Sequence, residues 1–176
     1  MKEVIEHINK TIADSLQQLQ PTTSIKTYGL AESVAVRDED SQTLPAVILP
    51  SGECFNVYGL TDKRHVVLYH RLADISFQED AGASFGAGRG YSEAADVSII
   101  VFGKRERISQ YQMEQIVRKA IAAREDCTLV RSDFNSLQVF ANEYQGVTYF
   151  LTPGYFLFKI NYRITSTYNA RCANIE

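Results

Sequence analysis

The run Gly86-Ala87-Gly88-Arg89-Gly90 is the stretch that most invites a chemical reading. Clustered glycines let backbone N–H groups close around a phosphate, but only where a strand precedes the loop and a helix N-terminus follows it. Here an apolar, strand-like stretch follows, and no Gly-Lys-Ser/Thr is present. Gly82, Gly86, Gly88 and Gly90 instead mark residues 79–95 as a long flexible loop, because glycine admits conformers closed to other residues. A loop of that length without periodicity is a functional arm or a disordered segment. It keeps one alternative function open: a small-molecule or nucleotide-binding domain, with or without enzymatic activity, using the Gly82–Gly90 loop over a pocket near His65 and His70.

The other chemistry-bearing residues lack partners. His65 and His70 lie an odd number of residues apart, which on a strand puts them on opposite faces, and no cysteine or carboxylate joins them at ligand spacing. No metal site is expected, and His7 sits among polar neighbours of a helix. Cys54, Cys127 and Cys172 are scattered and form no Cys-x-x-Cys pair, which reads as reduced thiols. A catalytic thiolate needs an adjacent base or a helix N-terminus, and the sequence offers neither. The expectation is no catalytic residue, no cofactor and no enzyme.

Lys104-Arg105-Glu106-Arg107 is the densest basic cluster, with Arg118, Lys119 and Arg124 downstream. On a turn such a cluster is a solvated surface or a charged contact that orients a partner. Asp38, Glu39 and Asp40 offer opposite charge elsewhere, as a ring would need, where one face of a subunit meets a different face of the next. Lys104, Arg105 and Arg107, with Gly86, Gly88 and Arg89 of the loop, are the candidate interface. Replacing the three basic residues with alanine is expected to leave folding nearly intact but to weaken assembly.

The elements around these residues follow from periodicity. Val4, Ile5, Ile8, Ile12, Leu16 and Leu19 recur at three- and four-residue spacings, predicting a helix over 2–20 that Pro21 ends. Residues 22–60 read as short strands and turns: strands at 33–36, at 45–50 between two prolines as an edge or short strand, and at 54–58, with a charged loop at 37–42. A long strand spans 65–77, and a continuous apolar strand spans 97–102. The next helix has a capping box in Ser109 and Gln112, a hydrophobic staple in Ile108 and Met113, and a stripe of Met113, Ile116, Val117, Ala120 and Ile121. Strands are expected at 128–131, 137–140 and 147–150. Residues 155–168 alternate apolar and polar as a final long strand, before a loose polar tail. The predicted fold is α+β: a mainly antiparallel sheet with one N-terminal and one internal helix, in a single domain (1–176) carrying an irregular strand and loop insertion at about 31–95.

The net charge of −3 lacks the basic excess that direct nucleic-acid binding requires. No apolar run approaches the ~20 residues of a membrane span. Lys2, Glu3, Glu6, His7 and Lys10 interrupt any signal-peptide core, so the expected location is cytoplasmic.

The order of elements resembles the tail terminator, or tail completion, proteins of long-tailed bacteriophages and prophages. Residues 96–123 followed by 156–168 carry most of the likeness, and the longer, strand-rich region 31–95 departs from it. The resemblance implies a homo-oligomeric ring, commonly six-fold, that caps the tail tube, stops its growth and joins it to head–tail connector proteins. It implies no catalytic residues, a location in the host cytoplasm during assembly, and a final place in the virion tail.

Overall fold

The structure, a computed structural model, describes residues 1–39, 42–57, 63–80, 90–144 and 154–169. Among these residues the chain runs α1 (Lys2–Leu19), β1 (Ile25–Ala31), β2 (Ser33–Glu39), β3 (Gln42–Ile48), β4 (Cys54–Asn56), β5 (Val66–Asp80), β6 (Gly90–Lys104), α2 (Gln110–Ala122), β7 (Cys127–Asp133), α3 (Ser136–Glu143) and β8 (Tyr155–Asn169). The α+β class holds. One five-stranded sheet has the order β1-β5-β6-β8-β7, and a smaller sheet has the order β2-β3-β4. All pairs are antiparallel except β1 with β5.

β6 is the centre of the large sheet, and its apolar run Ile99 to Phe102 is buried on both faces. Val97, Ile99 and Val101 join Leu68, Phe156, Phe158 and Ile160 beneath α1 and α2. Ile100 and Phe102 join Val67, Tyr69 and Leu157 on the opposite face, against Val139, Phe140 and Tyr144 of α3 and its end and Val47 and Val57 of the smaller sheet. Each such side chain contributes about 1.5–3 kcal/mol by leaving water. Gly103 lies opposite Phe156 on β8. A Cβ there would come within 2.1 Å of the Phe156 ring, so the glycine makes room for the aromatic.

The helix starts follow local chemistry. Ser109 and Gln112 form the expected capping box of α2. Residues 137–140, predicted as a strand, are helical instead. The Asn135 side chain accepts from the Gln138 N–H as an N-cap, and Val139, Phe140 and Glu143 turn one helical face inward. The expected strand at 147–150 lies outside the described residues.

Three further expectations change. The two ends of the predicted loop at 79–95 are strand, since β5 continues to Asp80 and β6 begins at Gly90, while residues 81–89 lie outside the described residues. Small residues such as Ala94 and Ala95 give little strand signal, but both ladder neighbours fix them. The charged loop at 37–42 is largely the paired ends of β2 and β3. Pro45 sits inside β3, the middle strand of its sheet rather than an edge. Its carbonyl accepts from the Val57 N–H just past β4, so its missing donor falls where that neighbour strand has ended. β1, which was hidden among the short strands of 22–60, carries a bulge at Gly29, whose φ of 66° suits glycine.

Candidate assembly surface

β5, β6 and β8 are each 15 residues long. At ~3.3 Å per residue they span about 50 Å. α1 has 18 residues and α2 has 13, so at 1.5 Å per residue they reach only about 27 and 20 Å. The helices therefore cover about half the sheet. The other half, residues 73–80, 90–96 and 163–169, continues as a three-stranded arm in unbroken register beyond a bulge at Ala73. Every described side chain from Ala73 to Gln78 is exposed. Phe77 is 72% exposed, and Ile75 stands beside it on the helix side, in the rung of Ala95 and Ile164. On the other side the Arg163 guanidinium grips both oxygens of Asp96 at 2.7 and 2.9 Å, which holds the Asp96 carboxyl below its usual range.

The arm is rooted in a tightly bonded body. His70 is fully buried between α1 and the sheet, with Nε2 at 2.8 Å from Asn9 Oδ1 and Nδ1 at 2.8 Å from the Tyr162 hydroxyl. An amide oxygen only accepts, so Nε2 carries the proton and Tyr162 donates to Nδ1. Burial pushes the imidazole down to about 3 and keeps it neutral. On the opposite face Glu143, at the end of α3, has a side chain only 3% exposed. It accepts from Arg71 at 2.6 Å and Lys159 at 2.5 Å. Beside it the Tyr69 and Tyr144 hydroxyls meet at 3.0 Å, and burial raises both phenols.

Of the candidate interface, Lys104, Arg105 and Arg107 stand together on the β6–α2 turn, at the end of the strands away from the arm. Gly86, Gly88 and Arg89 lie outside the described residues. Arg105 is not a free surface charge: its Nε donates to the Tyr155 carbonyl at 3.0 Å and its guanidinium lies 5.9 Å from the Phe156 ring centre. Lys104 lies over the Tyr155 ring, and Arg107 faces Glu106 at 3.7 Å. Arg105 is exposed, and its bond to the Tyr155 carbonyl ties the turn to β8. Asp38 and Glu39 belong to β2, and Asp40 lies outside the described residues.

His65 precedes β5 and accepts the Ser24 N–H at Nδ1, 2.9 Å away, while His70 is enclosed, so the two do not converge on a site. Burial pushes the Cys127 thiol up to about 12, Cys54 is half-buried, and Cys172 lies outside the described residues. Among the described residues no group of three or more His, Cys, Asp or Glu side chains could hold a metal. No helix among them is long and apolar enough to cross a membrane. The sequence placed two of the arm's three strands, within 65–77 and 155–168, but not its β6 strand or the Glu143 clamp. The alternation of Ile75 and Phe77 with Asp74, Ser76 and Gln78 was the available signal for the arm. No family model and no curated protein matches the chain.

Proposed function

We propose that the protein is a self-assembling structural subunit of the phage tail-terminator type: a non-enzymatic ring component that caps a tail tube and joins it to connector proteins. The observation that carries this reading is the uncovered arm, with Ile75 and Phe77 exposed on a ladder that elsewhere is deeply buried. Among the described residues the arm's β5 edge is open beyond Arg71, and its β8 edge is bonded to the β7 side only as far as Thr165. Such open strand edges are a template for pairing with another chain. The basic turn at the far end of the same strands gives the subunit two unlike ends, as a closed ring uses.

Light scattering across a concentration series, with negative-stain microscopy of the largest species, tests the reading. A mass several times 19.8 kDa with ring-shaped particles is expected. A monomer at the highest concentration, with no rings, would overturn it.

A further inference from the structure

The large sheet ends at β7, and no described strand lies beyond it. β7 is seven residues long, and Thr128, Leu129, Val130 and Arg131 are all exposed. Val130, at the bulge opposite β8, is 58% exposed. Of the nine large apolar side chains exposed among the described residues, Leu129 and Val130 lie on β7, and Ile75 and Phe77 are on the arm. Among the described residues, 74–80 of β5 form a second free edge of the same length, because β1 pairs with β5 only as far as Arg71.

Resting on the assembly reading above, we propose that residues 74–80 of one copy add as a strand to the free edge of β7 in the next copy. Three features fit the pairing. First, strand direction alternates from β5 through β6 and β8 to β7, so a further copy in the same sense places its β5 antiparallel to β7 and repeats the order. Second, the faces match. Ile75 and Phe77 share the helix side with Leu129, which lies opposite Tyr162, and Asp74 shares the other side with Arg131, which lies opposite Asn161. With Phe77 level with the middle of β7, apolar neighbours meet across the new ladder, and Arg131 lies opposite Ser76, a diagonal step from Asp74, which itself faces Asp133. Third, β1 blocks the body of β5 and leaves the arm open, so successive copies are displaced along the strands. The middle of β7 is level with residues 71–72 of β5, and the middle of the arm is Phe77, a displacement of about 15 Å along the sheet once the bulge at Ala73 is discounted. The contact joins unlike surfaces, so it builds a ring where its rotation closes and an open filament where it does not.

The test uses two variants of the full chain, Phe77→Asp on the arm and Val130→Asp on the edge, measured by light scattering alone and mixed. Both positions are exposed, and circular dichroism with thermal melting checks each fold. If either melts early, Phe77→Ser and Val130→Ser replace them. Each variant alone is expected as a monomer. Their equimolar mixture is expected at twice the chain mass of 19.8 kDa, because the intact arm of one meets the intact edge of the other and nothing further can add. If Val130→Asp assembles like the wild type while Phe77→Asp does not, the arm assembles but not on β7, and this inference alone falls. A mixture that stays monomeric also overturns it. A wild-type chain that never assembles overturns the assembly reading itself.

Discussion

Residues 66–72 of β5 and residues 73–80 of the same strand share one ladder with β6, yet their side chains meet opposite surroundings. Val66 to His70 are sealed between α1 and α2 on one face and α3 with the smaller sheet on the other. Ala73 to Gln78 are all exposed. Pairing with β6 runs along both halves, while β1 adds a second ladder only as far as Arg71. The difference is the cover and that second ladder, and it separates stability, held by the body, from association, offered by the arm.

Substituting one residue type in each half sharpens this contrast. Phe158→Ala, in the body beneath the helices, is expected to cost about 3–5 kcal/mol in urea unfolding, for lost transfer energy plus a cavity. The Glu143 clamp comes next. Glu143→Ala leaves Arg71 and Lys159 without their shared carboxylate. Both cations are partly exposed, so the expected loss is about 2–3 kcal/mol, below that of a fully buried pair. A cost under 1 kcal/mol would mean that α3 is held by its apolar face alone.

Acid probes the same body. Unfolded, His70 takes a proton near 6.5; folded, only near 3. Between these values the unfolded state binds more protons, so this contribution is complete above pH 6.5 and is lost as pH falls toward 3. The expected slope is about 1.4 kcal/mol per pH unit, absent in His70→Gln, by urea titration at several pH values. Ser109→Ala removes the α2 cap and should cost about 1 kcal/mol in the same assay. Phe77→Ser closes the series. It should change stability by no more than about 0.5 kcal/mol while abolishing assembly in light scattering. A large stability loss there would break the comparison, because it would make the arm part of the core.

The body was largely legible in the sequence. The stripe of α1, the Ser109–Gln112 box of α2 and the apolar run of β6 are local patterns that tertiary contacts reinforce. α3 was misread because Leu137, Val139 and Phe140 suit either period over so short a segment, and the deciding cue was the Asn135 cap. The arm was half hidden because its β6 strand is made of Gly90, Ser92, Ala94 and Ala95, whose strand state depends on β5 and β8. Arg105 read as surface charge because its partner, the Tyr155 carbonyl, is fifty residues away. Glu143 was passed over for the same reason: Arg71 and Lys159 reach it only once the sheet has formed.

Hydrogen exchange measured at low and high protein concentration tests the role of the arm most directly. Amides of residues 66–71 and 97–102 should be protected equally at both. The outer-edge amides of residues 74–80 should exchange quickly in dilute protein and become protected as the chain assembles. Exchange in the arm that does not change with concentration, while light scattering shows growing particles, would contradict the account and place the assembly contact elsewhere.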